Sequence, residues 1–281
     1  MSRKNVFGWP LYSIPEILGC AELNSLVVEA CRRMLNAVGV SGCSDREVIR
    51  ALAGPAAERS EAELERGLKE SFQDWITESA VKSALEVRAK RIAVQVRPWL
   101  SGASMLDIGC GDGVVASLLA GAGRAITLLD IQSYLDPRVT LPFIQYQEGA
   151  ELPVHGTFDI SLLLTVLHHS ADPLLLLREA RRVTSGRCII IESVFGVEEP
   201  VGRKEVELAA LPISQQVMYA TFVDWFYNRV IHTDVAVPYN FTRPSDWRSI
   251  LHQVGFSIEH EVDLGMDQEV VPEHHVLMVV I

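Results

Sequence analysis

A chain of 281 residues with 48% hydrophobic side chains can bury a sizeable core. Its net charge of −11 and scattered basic residues argue against DNA or RNA binding, which takes most of its affinity from neutralised phosphates. The five cysteines form no C-x-x-C pair, so the sequence predicts reduced thiols and no zinc site. No secretory signal pattern is present, and no apolar run approaches the ~18 residues of a membrane span. We therefore expect a cytoplasmic protein without a membrane partner.

The first hundred residues are predicted to be mostly helical, after an irregular stretch from Met1 to Pro15. Apolar spacing predicts one helix from Glu16 to about Val38, which Gly39 ends as a C-cap. Because an amphipathic stripe more often forms core or a subunit contact than a substrate groove, a homodimer through these helices remains open. We expect residues 1–100 to form a helical extension or lid.

Three further helical signals follow in this part of the chain. Ser44-Asp45-Arg46-Glu47 is predicted to be a capping box that opens a short helix to about Ala53, and Gly54-Pro55 breaks it. A third helix is predicted from about Glu58 to Glu70. Ser71 to Pro98 is predicted to hold one or two more.

The stretch from Ser104 to Gly113 reads SMLDIGCGDG. An apolar run that contains Asp107, three alternate glycines and a segment with helical spacing predict a strand, a tight turn and a helix. Glycines let a ligand approach the main chain, and N–H groups at the start of a helix favour a carboxylate or phosphate. The G-x-G-x-G spacing differs from the G-x-G-x-x-G of dinucleotide sites. An ordinary tight turn remains the alternative.

A second acid ends the next predicted strand, Ala125 to Asp130. It lies about twenty residues past the glycines, where a carboxylate can accept hydrogen bonds from both ribose hydroxyls. A helix N-cap or a solvated strand end is the alternative for Asp130.

The remaining pattern predicts an α/β fold with a mostly parallel sheet, because near-continuous apolar runs are typical of strands covered on both faces. A helix is predicted over Pro173 to Val183. Strands are predicted at Met105–Ile108, Ala125–Asp130, about Pro142–Gln147, Phe158–Leu164, Arg187–Glu192, Ser257–Val262 and His275–Ile281.

Between Ser193 and Phe256 lies an aromatic-rich insertion, longer than a crossover needs. It follows the fifth strand, at the sheet edge where open α/β folds bind ligands. Core packing and lining of an acceptor pocket both remain open for it. Its polar groups, interleaved with aromatic side chains, are Asn228, His232, Tyr239 and Asn240.

Taken in order, these motifs resemble those of the class I S-adenosylmethionine-dependent methyltransferases. The resemblance covers roughly Leu100 to Ser193. It implies a Rossmann-like, seven-stranded, mostly parallel sheet with helices on both faces, in a methyltransferase domain spanning residues 101–281. The motifs are Leu106-Asp107-Ile108-Gly109-Cys110-Gly111-Asp112-Gly113, Asp130, Glu151-Leu152-Pro153 before Phe158-Asp159-Ile160, and Val166-Leu167-His168-His169 with Asp172-Pro173.

The resemblance also implies S-adenosylmethionine as cofactor. Asp107 and the glycine backbone would hold the methionine part, Asp130 the ribose, Ile131 and Glu148 the adenine, while Thr165 and Leu167 would flank the sulfonium. Gln147-Glu148-Gly149-Ala150 departs from the usual Gly-Asp-Ala-Glu, which weakens the assignment of Glu148. The implied cofactor-binding residues are Asp107, Gly109, Cys110, Gly111, Gly113, Asp130, Ile131, Glu148, Gly149, Thr165 and Leu167.

Transfer from a sulfonium needs alignment of the acceptor and, for some acceptors, removal of a proton, but no metal in principle. The candidate catalytic residues are His168, His169 and Tyr239. For His168, a structural or cofactor-contact role is favoured over that of a general base. His274 and His275 precede the last strand, where neighbours point to opposite faces and cannot share a metal.

The predicted activity is methyl transfer to an oxygen, nitrogen or carbon of a small-molecule acceptor. Methylation of a protein or RNA is an alternative within enzymes. A non-catalytic cofactor-binding scaffold subunit is an alternative from another class, because intact glycines and Asp130 indicate binding and not turnover.

Overall fold

The structure is a computed structural model that describes residues 3–40, 43–52, 60–121, 123–232, 235, 237–267 and 270–281. The chain forms two compact units, each assembled from three segments. The helical unit comprises Met1–Val87, Val194–Phe241 and Gly265–His274, and the sheet unit comprises Arg88–Ser193, Thr242–Leu264 and His275–Ile281.

The helices and strands alternate in the middle of the chain, as an α/β fold requires. The α-helices are α1 Ile14–Leu18, α2 Asn24–Ala37, α3 Asp45–Leu52, α4 Glu61–Phe72, α5 Glu78–Val96, α6 Val114–Leu119, α7 Pro173–Val183, α8 Arg203–Ala209, α9 Ile213–Trp225 and α10 Pro244–Gln253. A π-helix, Phe226–Ile231, continues α9. The strands are β1 Ser104–Ile108, β2 Ala125–Asp130, β3 Phe143–Gln145, β4 Phe158–Leu164, β5 Thr184–Val194, β6 Ile258–Met266 and β7 His274–Val280.

The prediction of one helix from Glu16 to Val38 is wrong, because the chain forms α1 and α2 instead. Ser13 caps α1 in a capping box with Glu16, and the N–H of Gly19 donates back to Pro15 O at 3.0 Å. A short 3-10 turn then separates the two helices. The predicted C-cap is confirmed, since Gly39 follows α2 with φ +84°.

The predicted capping box at Ser44 is confirmed. The Glu47 carboxylate accepts the Ser44 N–H at 2.7 Å, and the Ser44 hydroxyl accepts the Glu47 N–H at 3.3 Å. Ser60 caps α4 in the same way with Glu63. The predicted break at Gly54-Pro55 and the predicted helix start at Glu58 lie outside the described residues.

Helix α5 contributes side chains to the cores of both units. Val81 and Ala84 belong to the core of the helical unit, whereas Ile92, Ala93 and Val96 belong to the core of the sheet unit. The units therefore divide within α5, after Val87, and not at residue 100.

The aromatic insertion is also divided. Its part up to Phe241 belongs to the helical unit, and α10 belongs to the sheet unit. Roles as a lid and as a cover for the acceptor stay predictions.

The sheet has the order β3-β2-β1-β4-β5-β7-β6, which confirms the predicted seven-stranded, mostly parallel fold. The pairs β1–β2, β1–β4, β2–β3 and β4–β5 are parallel. Ser257 and Ile281 exchange backbone hydrogen bonds at 2.8 and 2.9 Å, so β6 and β7 are antiparallel. Because β1 lies between β2 and β4, the strand order reverses there, and such a switch point opens a crevice at the carboxyl ends of the strands.

The described cysteines, Cys20, Cys31, Cys43, Cys110 and Cys188, are free thiols. Among the helices that the structure describes, none combines the length and apolar character needed to cross a membrane.

In the helical unit, the side chain of Asn5 fixes the irregular N-terminal stretch. Its Oδ1 accepts the N–H groups of Phe7 and Trp9, both at 3.0 Å. Its Nδ2 donates to the carbonyls of Tyr239 and Phe241 at 3.1 and 2.9 Å. One buried amide therefore joins two segments that lie more than 230 residues apart in sequence.

We expect Asn5→Ala to lower the free energy of unfolding by about 2 kcal/mol, because it removes four hydrogen bonds from a buried position. Asn36→Ala, at an exposed position of α2, is the matched control and should change it by less than about 0.5 kcal/mol. Urea unfolding followed by circular dichroism measures both. Equal midpoints for the two variants would contradict the role of Asn5.

Candidate functional site

The glycine turn, residues 109–113, follows β1 at the carboxyl edge of the sheet. Gly109, Gly111 and Gly113 have left-handed φ angles of +73°, +54° and +71°. A Cβ at residue 109 would lie 2.2 Å from Val166 Cγ2, so only glycine lets these two segments pack together. A Cβ at residue 111 would meet no atom within 4 Å, so the backbone there borders open space.

Asp107, near the end of β1, is a buried acid with 2% of its surface exposed. Its Oδ1 has no hydrogen-bond partner among the described residues. Burial raises the pKa of Asp107 to about 7, and the charges of Asp130 and Asp112 add to the effect. A buried carboxylate in this environment gains free energy by meeting a cation.

Asp130 ends β2 beside the glycine turn. Its Oδ2 accepts the N–H of Gly111 at 2.9 Å, and its Oδ1 accepts the N–H of Ile131 at 2.7 Å. Burial raises the pKa of Asp130, while these backbone hydrogen bonds oppose the shift. Since each carboxylate oxygen can accept two hydrogen bonds, both retain capacity for the hydroxyls of a ribose.

The β4 loop, Thr165–His169, follows the neighbouring strand. Thr165 has φ +56°, an unusual angle for a β-branched residue. Its N–H donates to Ile191 O at 2.7 Å, and Arg88 Nη2 donates to its Oγ1 at 3.4 Å. Leu167 is fully buried. Together these contacts fix the loop in a conformation that Thr165 alone would disfavour.

The carboxylate of Glu192, on β5, binds three groups of the β4 loop. Its Oε1 accepts the N–H groups of Val166 and Leu167 at 2.9 and 2.7 Å. Its Oε2 lies 2.7 Å from His168 Nδ1. Glu192 and His168 are 0% and 2% exposed, and the His168 ring lies 4.1 Å from that of His169, measured between centroids. The pair is therefore part of the buried framework of the loop, and the role of His168 stays a prediction.

The residues predicted to meet adenine lie after β2 and β3 in the same unit. Glu148 Oε1 accepts the N–H of Ala171 at 2.8 Å. Ile131 O accepts a hydrogen bond from Gln145 Nε2 at 2.8 Å, and Gly149 has φ +76°. The Glu148 carboxylate thus supports the segment before α7. The adenine contacts of Ile131 and Glu148 and the cofactor contact of Gly149 stay predictions.

Tyr239 belongs to the helical unit, whereas the other predicted site residues belong to the sheet unit. Its φ is +58°, and its hydroxyl lies 3.5 Å from Glu61 Oε1. Burial raises the pKa of Tyr239, and the charge of Glu61 adds to the shift. The phenol therefore keeps its proton near neutral pH and can donate a hydrogen bond, but its catalytic role stays a prediction.

Three residues near the site carry roles that the sequence analysis did not assign. Glu192 and Arg88 support the β4 loop, and Tyr146 donates its N–H to Asp130 O at 3.0 Å. For Glu192 a signal existed, because it ends the predicted fifth strand as an acid, just as Asp130 ends the second. Arg88 lies 77 residues before its partner, and no local pattern connects them.

The residues present fit S-adenosylmethionine. The unpartnered Oδ1 of Asp107 suits the positively charged ammonium of the methionine part. The open space beside Gly111 and the carboxylate of Asp130 suit a nucleoside. A sheet of this order, with a glycine turn after β1 and an acid at the end of β2, defines a class I S-adenosylmethionine-dependent methyltransferase.

Comparison with known proteins agrees with this class. The model of a family described as "Methyltransferase domain" matches residues 88–261, which is more than half of the chain. The chain therefore belongs to this methyltransferase family.

The relatives include ubiquinone biosynthesis O-methyltransferases. The protein from Pseudomonas paraeruginosa is 28% identical in an alignment of 122 residues that covers 39% of this chain and 52% of the relative. That from Azotobacter vinelandii is 28% identical in an alignment of 112 residues that covers 35% of this chain and 47% of the relative. The chain thus spans about half the length of the relatives it matches.

Two solved structures of methyltransferases are similar to this chain at low sequence identity. The 1,6-didemethyltoxoflavin N1-methyltransferase of Burkholderia thailandensis is 17% identical, with a TM-score of 0.46, over 78% of this chain and 87% of the other. The magnesium protoporphyrin IX methyltransferase of Synechocystis, with bound S-adenosylhomocysteine, is 15% identical, with a TM-score of 0.47, over 73% and 87%.

We expect Gly109→Ala to lower the free energy of unfolding by about 2 kcal/mol or more, because the new Cβ would strain a positive φ and collide with Val166. Gly121→Ala is the control, since a Cβ there meets nothing within 4 Å and no positive φ is involved. Thermal unfolding compares the two variants. If Gly109→Ala unfolds at the temperature of the control, the close packing of the turn on the β4 loop is not needed.

Proposed function

We propose that this chain transfers the methyl group of S-adenosylmethionine to a small-molecule acceptor. The proposal rests on a cluster of three acids at the sheet edge, Asp107, Asp112 and Asp130. Asp107 has one buried carboxylate oxygen without a hydrogen-bond partner among the described residues. Three acids in one place repel each other, so the site favours a ligand with positive charge.

Different residues of the sheet unit would bind different parts of the cofactor. Asp107 would bind the ammonium, the glycine backbone would lie against the methionine part, and Asp130 would accept the ribose hydroxyls. Ile131 and Glu148 would lie at the adenine, and Gly149 would also contact the cofactor. Thr165 and Leu167, fixed by the β4 loop, would flank the sulfur.

When bound, the cofactor supplies a methyl carbon activated by a sulfonium, so the protein has to align an acceptor and accept its proton. His168 and His169 lie in the β4 loop and are the candidates for that proton. Tyr239, in the helical unit, stays a candidate catalytic residue.

A small molecule is supported as the acceptor by two observations. The net charge of −11 is unfavourable for nucleic acid. The relatives named for ubiquinone biosynthesis are O-methyltransferases, which favours oxygen over nitrogen or carbon as the methylated atom. The free thiols support action in the cytoplasm.

Calorimetry with S-adenosylmethionine tests the cofactor, with NAD as the competing ligand class. We expect heat with the first and none with the second, and the reverse would overturn the assignment. Mass spectrometry of a metabolite mixture incubated with enzyme and cofactor then tests catalysis. A methyl-sized gain on one compound is expected, whereas binding without any such product would indicate a scaffold subunit.

The affinity for S-adenosylmethionine should depend on the protonation of Asp107, whose pKa is about 7. Protonation removes the charge that attracts the ammonium, so we expect Kd to rise about tenfold between pH 8 and pH 6. Asp107→Asn should bind weakly, with a Kd that no longer changes over this range. Calorimetry at both pH values measures this, and a wild-type Kd independent of pH would contradict it.

Ionisation of Asp107, which favours binding of the cofactor, lowers the stability of the cofactor-free protein. Because its pKa in the folded state lies above the ordinary value of 3.8, its contribution to stability is present below that value and is lost as pH rises through about 7. Asp107→Asn should therefore unfold at a higher temperature than the wild type at pH 8, where the buried charge is present. At pH 5 the difference should be smaller, because more of that contribution is still present. The unfolding temperatures thus show whether Asp107→Asn binds the cofactor weakly because it lacks the charge or because it is misfolded.

We expect Asp130→Ala to weaken binding of S-adenosylmethionine about tenfold to a hundredfold, since hydrogen bonds to a charged group contribute about 1.5–3 kcal/mol. Asp74→Asn, at an exposed position of the helical unit, is the control and should bind as the wild type does. A second ligand, S-adenosylhomocysteine, should show the same loss because it carries the same ribose. An unchanged Kd for both ligands would place the ribose elsewhere.

A further inference from the structure

Tyr146, in the sheet unit, lies beside the acid that would bind the ribose, and the cofactor assignments do not use it. Strand β3 pairs with β2 so that Gln145 lies opposite Asp130. The next residue is Tyr146, whose N–H donates to Asp130 O at 3.0 Å. Gln145 Nε2 also donates to Ile131 O at 2.8 Å. Tyr146 therefore begins the loop after β3 at the same edge of the sheet where Asp130 ends β2.

The phenol of Tyr146 is half-buried close to two acids of the predicted cofactor site. Burial raises the pKa of Tyr146, and the charges of Asp130 and Glu148 add to the shift, with the larger effect from Asp130. Because the effect of one charge on another group falls with distance, the hydroxyl lies near these carboxylates. The phenol keeps its proton near neutral pH and is therefore a hydrogen-bond donor.

The chain does not use this donor. The Tyr146 hydroxyl forms no hydrogen bond with the residues that the structure describes, whereas the N–H of the same residue is bound to Asp130. Small-molecule sites combine apolar surface with a few polar groups that meet the polar atoms of the ligand. A half-buried hydroxyl at the carboxyl edge of the sheet is such a group.

The hydroxyls of a ribose need a donor as well as an acceptor. Each hydroxyl has one proton to donate and two lone pairs that accept. Asp130 supplies the acceptor, since its oxygens already accept the N–H groups of Gly111 and Ile131 at 2.9 and 2.7 Å. A ribose oxygen that loses water on binding and meets no donor costs affinity. The O–H of Tyr146, beside the same carboxylate, supplies that donor.

We propose that Tyr146 is a ribose-binding residue, whose O–H donates to the oxygen of a ribose hydroxyl while Asp130 accepts the proton of that hydroxyl. The proposal rests on the proposed function, since it adds a contact to the same cofactor. It makes Tyr146 a specificity-determining residue, because a deoxyribose lacks the oxygen that this hydroxyl would bind.

Tyr146→Phe removes the hydroxyl and keeps the ring. Calorimetry of the full chain compares the wild type and this variant with S-adenosylhomocysteine and with its 2′-deoxy and 3′-deoxy analogues. With S-adenosylhomocysteine we expect Kd to rise about three- to tenfold in Tyr146→Phe, as for the loss of one hydrogen bond. With the analogue that lacks the bound hydroxyl, the two proteins should agree within about twofold, because the hydrogen bond is absent from both complexes.

Tyr219→Phe is the matched control. It removes the hydroxyl of a buried tyrosine in the helical unit, and burial raises the pKa of that tyrosine too. The Tyr219 hydroxyl lies 3.4 Å from Pro272 O, to which it donates within the same unit. Its removal should leave Kd for all three ligands as in the wild type.

The pattern across the three ligands separates a ribose contact from other roles. If Kd rises by the same factor with all three, the hydroxyl acts on the adenine or on the fold, and the proposal is overturned. An unchanged Kd for S-adenosylhomocysteine in Tyr146→Phe also overturns it. The ligand-free variant should unfold close to the temperature of the wild type, because the hydroxyl makes no hydrogen bond to the described part of the chain.

The same measurements distinguish this proposal from the proposed function. Heat with S-adenosylhomocysteine in the wild type, at an equal Kd in Tyr146→Phe, would leave the cofactor assignment intact and remove only the role of Tyr146. Absence of heat in the wild type would remove the cofactor assignment and the role of Tyr146 with it.

Discussion

The arrangement of the candidate site depends on the absence of one atom, a Cβ at residue 109. The methyl group of Val166 occupies the space where that atom would be. The glycine turn and the β4 loop can therefore lie in direct contact, although they come from different strands. On its other side the loop is bound by Glu192, whose carboxylate neutralises two backbone donors in the interior. The contact with Gly109 on one side and the hydrogen bonds to the buried Glu192 carboxylate on the other leave the loop little conformational freedom.

The electrostatics of the sheet edge oppose the folded state as long as no ligand is bound. Asp107, Asp112 and Asp130 lie close enough that the charges of the latter two raise the pKa of the first. A protein gains nothing in stability from such a group, since burial and like charge both disfavour ionisation. The same cost becomes binding free energy once a cation enters. The acids of the site therefore repel each other, while the loops that hold them are fixed by packing and hydrogen bonds.

The sequence predicts the parts of the fold whose signal is local. The strands Ala125–Asp130 and Phe158–Leu164 match residue for residue, because continuous apolar runs between turns are typical of buried parallel strands. The break at Gly19 was missed because apolar spacing continues across it. The role of Glu192 was missed because its partners are mostly backbone N–H groups, which every residue has. The division of α5 between two cores depends on tertiary packing, which periodicity does not show.

The place of β7 has a consequence for how the sheet is completed. This strand is the last of the seven in the chain, yet it lies in the interior of the sheet, between β5 and β6. During synthesis, one edge of β5 stays unpaired until residues 274–280 have left the ribosome. Strand β6 can be added to the sheet only by pairing with β7, which these residues form. Until then, the exposed backbone donors and acceptors of β5 are a surface on which another chain could pair, and a chaperone that covers strand edges would protect the nascent protein at this stage.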